Sequence, residues 1–344
     1  MPSKEELKEL QALPLERKIL KTQARIIEWY QKFKGQVYVS FSGGKDSTVL
    51  LHIVRQMYPD LEAVFVNTGL EYPEIQKFVK TFDNVTTLRP KMRFDEVIRK
   101  YGYPFISKDI ALTIYYARKG STFANERLDG VDGKTKAVSE FRKDRYGKWK
   151  PLISLDFSIS HYCCGIMKEK PLNELAKQNG KVSIVGTLAE ESERRTDAWL
   201  KTGCNAFESD KPTSKPLSFW TNQDILQYIK QYNLPIASVY GEVVYGSRDS
   251  AEKYDNLLCD CGKELCTTKC DRTGCIFCGF GAHLEKGESR FERLKRTHPR
   301  QYEYCMGGGA YDTDGLWKPT KDGLGMAHCI DELNKIYGND FIRY

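Results

Sequence analysis

The stretch Val37-Tyr38-Val39-Ser40-Phe41-Ser42-Gly43-Gly44-Lys45-Asp46-Ser47-Thr48 decides the fold. Its first five residues are apolar or β-favouring and read as a short buried strand, and Thr48 to Tyr58 reads as a helix. Between them lies a six-residue loop, Ser42 to Ser47. Glycines there let the backbone come close to a phosphate, and the free amides at the helix start point at it. The Ser42 and Ser47 hydroxyls suit phosphate oxygens, Lys45 adds positive charge, and Asp46 suits a Mg²⁺ ion near the phosphates. The spacing is not that of the Gly-x-x-x-x-Gly-Lys-Ser/Thr phosphate loop. The plain alternative is a glycine turn with a helix cap; six specific residues in a strand–loop–helix setting speak against it.

The pattern repeats outward from this loop. Glu62 to Asn67 reads as a second strand, which ends at Thr68-Gly69, and Pro73 opens a helix as a first-turn proline. Val85 to Leu88 is a third strand and Phe94 to Tyr101 a further helix. Such alternation predicts an α/β fold: a parallel twisted sheet with helices on both faces, Rossmann-like. Residues 4–34 read as helical, with Leu7, Leu10, Leu15, Ile19, Ile26 and Phe33 inward. Residues 119–150 are rich in Gly, Lys, Asp and Arg and read as an insertion or lid. Helix returns from about Glu169 to Gln178, strand at Val182 to Gly186, and helix from Thr221 or Asn222 to about Gln231. The expected division is an N-terminal helical segment (1–34), a nucleotide-binding domain (35–240) and a Cys-rich C-terminal metal-binding region (241–344).

Composition sets outer limits. The chain has 344 residues, 40% hydrophobic and 29% charged, as a folded globular protein has. No apolar run is long enough to span a bilayer, and Met1-Pro2-Ser3-Lys4-Glu5-Glu6 is not a signal peptide, so a cytoplasmic protein without membrane partners is expected. The net charge of +7 suits ATP or nucleic acid, or an ordinary solvated surface. Six of the eleven cysteines lie between Cys259 and Cys278, and two more are adjacent, Cys163-Cys164. In a cytosolic chain that crowding points to metal.

Ser-Gly-Gly-Lys-Asp-Ser resembles the loop of the N-type ATP pyrophosphatases, a branch of the adenine nucleotide α-hydrolase superfamily. Within it, the chain resembles the phosphoadenosine phosphosulfate (PAPS) reductase family, which also holds the sulfur-transfer subunit of DNA phosphorothioation systems. The resemblance continues through Asn67-Thr68-Gly69, Cys163-Cys164 before Lys168-Glu169-Lys170-Pro171-Leu172, Glu191-Ser192-Glu193-Arg194-Arg195, and Pro216-Leu217 leading to Trp220 and Asp224-Ile225. It implies an adenine nucleotide at the carboxyl ends of the strands, held by Ser42–Ser47 and Asn67–Gly69. Arg194 and Arg195 become candidates for phosphate or sulfate contacts, or simply balance Glu190, Glu191 and Glu193. Lys45, Asp46, Arg194 and Arg195 are the candidate catalytic set.

The cysteines divide into two groups. Cys163-Cys164 and Cys275-x-x-Cys278 together supply four thiolates, the complement of a 4Fe-4S cluster. Iron–sulfur adenosine phosphosulfate (APS) reductases look similar here. The alternative is an unliganded buried pair plus a zinc knuckle. Cys259, Cys261, Cys266 and Cys270 form a second set with soft ligands suited to Zn²⁺. His161 and His283 lie near these groups in sequence. Cys204 stands alone, as a small buried hydrophobe does, and Cys305 and Cys329 read either as reactive thiols or as buried hydrophobes of the same kind. Reductases resembling this family carry a Glu-Cys-Gly-x-His tail with the attacking cysteine, which is absent here. Ser289 to Arg300 reads as a basic helix with Phe291 and Leu294 inward, or as a nucleic acid contact.

These observations lead to an expected enzyme that binds ATP and Mg²⁺, adenylylates an acceptor with release of pyrophosphate, and supports cluster-dependent sulfur transfer, with nucleic acid a candidate acceptor. The sulfur donor or reductant is not legible. The alternatives are a PAPS or APS reductase using a non-standard cysteine, and a non-catalytic nucleotide- and metal-binding module of a nucleic-acid complex.

Overall fold

Strand β1 (Val37–Ser40) is flanked on one side by β2 (Ala63–Val66) and on the other by the strand Val182–Val185, parallel to both. Beyond β2 lies β3 (Val85–Leu88); beyond Val182–Val185 lie Thr213–Ser214 and then Asn205–Ala206. Among the described residues the sheet is therefore six-stranded and mixed, not wholly parallel. The exception is the edge pair Asn205–Ala206 and Thr213–Ser214, whose connection is short enough for an antiparallel turn but not for a crossover. The computed structural model describes residues 2–133, 135–246 and 264–344.

The chain divides into two compact units that alternate along the sequence. The first comprises Met1–Asn67, Glu71–Arg89 and Pro171–Thr273 and contains the six-stranded sheet; the second comprises Thr68–Leu70, Pro90–Lys170 and Gly274–Tyr344.

In the first unit, α1 (Lys4–Gln11) and α2 (Leu15–Lys32) precede β1, and α3 (Lys45–Met57) follows it. Helix α3 buries Val49, Leu50, Ile53 and Val54 completely, because residues three and four apart share a face. Each such side chain contributes roughly 1.5–3 kcal/mol of transfer free energy. Helix α2 and the helix Asn222–Gln231 both pack on α3. Ile26 and Trp29 of α2 are fully buried. Lys18 of α2 is buried too, and its ammonium meets Asp224 Oδ2 at 2.6 Å and the Gln11 carbonyl at 2.7 Å. Asp224 also accepts from the Thr221 backbone N–H at 2.6 Å, so one carboxylate both caps the helix Asn222–Gln231 and anchors α2.

The second unit is mainly helical. Phe105–Ile106 pairs in parallel with Gly279–Phe280, and a Cβ on Gly279 would stand 2.4 Å from Phe105 Cδ1, so this close pairing requires glycine. Residues 119–150, expected as an insertion or lid, contain the helices Thr122–Leu128 and Glu140–Tyr146. Leu128 and Tyr146 are buried, and Arg127 ties them together by donating to both Asp109 and the Tyr146 hydroxyl. The basic segment forms the helix Arg290–Thr297 with Phe291 and Leu294 fully buried, as its spacing predicts. No helix among the described residues is long and apolar enough to cross a membrane.

Candidate functional site

The phosphate loop sits where the chain leaves β1 and enters α3. Gly44 caps the helix without a side-chain bond, leaving first-turn amides for a ligand. Gly43 has φ +73°, and a Cβ there would meet Val79 Cγ2 at 2.7 Å and Ile75 Cγ2 at 2.9 Å, so both conformation and space call for glycine. The two serines shape the loop from within. Their hydroxyls lie 3.0 Å apart, Ser47 Oγ donates to the Gly44 carbonyl at 2.9 Å, and the Ser42 N–H donates to Ser47 Oγ at 3.2 Å. Gly186, just after Val182–Val185, allows the loop to seat: a Cβ there would stand 2.9 Å from the Asp46 carbonyl oxygen.

A cavity of about 570 Å³ opens over this loop. Ser40 and Ser42 line it from the end of β1, and Val185 to Leu188 line it from the end of the neighbouring strand. The chain leaves β1 toward β2 on one side and reaches Val182–Val185 on the other, so the cavity stands at a topological switch point, where open α/β sheets bind ligands. Its charged lining comprises Lys45, Arg195 and Arg272 against Asp46, Glu190, Glu191 and Asp271. The Lys45 ammonium lies 3.5 Å from both Asn222 Oδ1 and Asp271 Oδ1, and 5.5 Å from the centre of the Tyr240 ring. The Tyr240 hydroxyl shares a hydrogen bond with Thr273. Burial pushes the Asp46 carboxyl up, against the opposing pull of Lys45, Arg272 and Arg195. The Arg195 guanidinium is lowered, first by burial and then by Arg272 beside it. Glu191 pairs with both arginines.

The candidates named from sequence are not all brought together here. Ser42, Gly44, Lys45, Asp46, Ser47 and Arg195 line the cavity, whereas Arg194 is exposed and is not part of the lining. Asn67 follows β2, its N–H donating to the Leu88 carbonyl at 2.9 Å; Thr68 and Gly69 belong to the second unit. Asn222, Tyr240, Asp271, Arg272 and Thr273 carried no local motif that would have marked them.

Cys163, Cys164, Cys275 and Cys278 all belong to the second unit. Cys163 and Cys164 lie in the turn Tyr162–Cys164, which runs into a π-helical turn, Gly165–Glu169, a distortion frequent at functional sites. Cys275 and Cys278 close a tight turn in which the Cys278 N–H donates to the Cys275 carbonyl at 3.1 Å. Burial pushes the Cys163 thiol well up, and Cys164, Cys275 and Cys278 push it further. Among the described residues no three His, Cys, Asp or Glu side chains converge on the position of a single metal ion. A four-iron cluster does not require that, because each thiolate binds a different iron. The donor set, four soft thiols in one unit, fits such a group.

The second cysteine set is only partly described. Cys259 and Cys261 lie outside the described residues. Cys266 sits in the strand Leu265–Thr267, and Cys270 is buried with its thiol donating to the Arg272 carbonyl at 2.9 Å. His161 lies among Tyr115, Tyr116 and Tyr162, and His283 against Trp149 and Phe341. Cys305 and Cys329 are fully buried, and burial pushes both thiols far from the thiolate form.

The model of one protein family, the phosphoadenosine phosphosulfate reductase domain, matches residues 36–105 and 131–279. The chain belongs to the PAPS reductase family. The match takes in the phosphate loop, Arg195, Arg272 and the four second-unit cysteines, and excludes Cys305 and Cys329. Among curated relatives, the adenosine 5'-phosphosulfate reductase of Bacillus cytotoxicus is 25% identical over 214 residues, covering 61% of this chain and 70% of that protein. The corresponding reductase of Staphylococcus haemolyticus is 26% identical over 224 residues, covering 63% and 70%. Among solved structures, the PAPS reductase of Candida auris in its phosphate complex is similar at 15% identity and a TM-score of 0.37, over 72% of this chain and 95% of that one.

Proposed function

We propose that this PAPS reductase family member is an ATP-dependent enzyme that adenylylates an acceptor and supports sulfur transfer. One observation carries the reading: the complete Ser-Gly-Gly-Lys-Asp-Ser loop opens α3 inside a cavity whose cations are Lys45, Arg195 and Arg272. Three cations face four carboxylates there, so a polyphosphate needs a divalent cation to bind well, and Asp46 and Asp271 are the acids to share it. An acceptor oxygen attacks the α-phosphorus, the bond to the bridging oxygen breaks, and pyrophosphate leaves with the electron pair. Lys45 and the guanidiniums stabilise the charge that develops on the departing oxygens.

Cys163, Cys164, Cys275 and Cys278 are the residues that would hold a 4Fe-4S cluster, which when bound supplies electrons or a binding point for sulfur. Cys259, Cys261, Cys266 and Cys270 are the residues that would hold Zn²⁺. Nucleic acid is the macromolecular acceptor that suits the net charge of +7.

A second reading, a phosphosulfate reductase, is favoured by the names of the matched relatives. It requires a thiolate that reaches the sulfonate sulfur. Burial of Cys305 and Cys329 argues against both as that nucleophile. ATP–pyrophosphate exchange by the reconstituted protein, with and without RNA or DNA, tests the first reading. Labelled pyrophosphate should enter ATP. No exchange, together with thioredoxin-coupled sulfite release abolished by Cys305→Ser or Cys329→Ser, would establish the second instead.

A further inference from the structure

Glu191 is not one of the acids to which this reading gives the divalent cation, yet it stands between two of the three cavity cations. Its Oε2 pairs with Arg195 and its Oε1 with Arg272, which comes from 81 residues further along the chain. The carboxylate is itself fixed, because the Leu188 backbone N–H donates to Oε2 at 3.2 Å. The Glu191 side chain is 13% exposed, whereas those of Arg195 and Arg272 are 40% and 63% exposed. An anchored carboxylate thus grips part of each guanidinium. A guanidinium has five N–H donors, so each arginine keeps donors for another oxyanion.

We propose that Glu191 is a positioning residue, which sets Arg195 and Arg272 as a paired-guanidinium grip for the phosphate chain of the ligand. The inference rests on the nucleotide reading above and deepens it by assigning how the anion is recognised. The sign of the effect separates positioning from simple charge. Removing a carboxylate from the cavity makes it more positive and, by Coulomb's law alone, tightens binding of a polyanion. If Glu191 aligns the arginines, its removal weakens binding instead, because long side chains left without a partner lose their fixed geometry.

The test is calorimetry of the full chain, wild type against Glu191→Gln and Glu191→Ala, with Mg·ATP, inorganic pyrophosphate and adenosine. The expected result is a loss of at least about tenfold for ATP and pyrophosphate, the scale of one charge-assisted contact, with adenosine binding unchanged. Unchanged or tighter binding of the two anions overturns the proposal, as does an equal loss for adenosine, which would mark a merely structural defect. If the Glu191 variants do not fold, Arg272→Lys decides. It keeps the charge but not the fork, at an exposed side chain, and unchanged ATP affinity overturns the grip. If wild type binds adenosine phosphosulfate but not ATP, the adenylylation reading falls and the same variants are judged with that ligand. If wild type binds no anion, both fall.

Discussion

Replacing Gly186 by alanine adds one methyl group where the structure has no room for it. The new Cβ would stand 2.9 Å from the Asp46 carbonyl oxygen, 3.1 Å from its carbonyl carbon and 3.2 Å from Ser47 Cα. All three are backbone atoms in the first turn of α3, so no flexible side-chain end can swing aside. Either the strand end or the phosphate loop must move. Overpacking of this kind destabilises by about 1–3 kcal/mol, and a loop displaced by a fraction of an ångström no longer presents its amides correctly. The expected outcome is therefore double: a lower denaturation midpoint in urea, and ATP affinity reduced more than that of a surface control. Urea unfolding and calorimetry on the same preparations measure the two. A variant with wild-type midpoint and wild-type ATP affinity would refute the claim that this glycine seats the loop.

Three further outcomes follow from the same structure. Lys18→Ala leaves the buried Asp224 carboxylate without its cation and should cost about 3–5 kcal/mol in chemical denaturation; a loss below about 1 kcal/mol would mean that Thr221 alone satisfies Asp224. Burial holds the imidazoles of His52, His161 and His283 below their ordinary value of about 6.5, so below that pH the unfolded chain binds more protons than the folded one. Stability from these groups is full above pH 6.5 and declines as pH falls beneath it; His52→Gln should flatten the decline in urea midpoint, and an unchanged pH slope would count against it. Anaerobically prepared protein should contain about four irons per chain, and the double change Cys163→Ser with Cys164→Ser should remove them; iron that persists would belong to another set of ligands.

The strand–loop–helix around Ser42–Ser47 was legible because its signals lie in consecutive residues between a strand and a helix. Phe291 and Leu294 were legible for a similar reason, since helical spacing alone places them on one face. The rest of the cavity was not. Asn222, Tyr240 and Arg272 are separated in sequence; the packing of the helix Asn222–Gln231 on α3, that of the turn Ser238–Tyr240 on the helix Pro73–Val79, and the pairing of Arg272 with Glu191 bring them to the loop. Arg194 and Arg195 could not be told apart by composition; helix geometry turns one to the cavity and the other to solvent. The helices within 119–150 escaped detection because each is only seven residues long and lies in a stretch rich in Gly, Lys, Asp and Arg; Arg127, which bridges Asp109 and Tyr146 there, carries no local signal of that role.

The alternation of the two units along the chain has a consequence for biosynthesis. The first unit contains residues up to Thr273, and the second closes its parallel pair only with Gly279–Phe280. A nascent chain therefore carries the phosphate loop through the ribosomal tunnel long before Asp271, Arg272 and Thr273 exist to complete the cavity. Cys163 and Cys164 likewise wait more than a hundred residues for Cys275 and Cys278. Neither the cavity lining nor the set of four cysteines is complete until residues 271–278 have been synthesised.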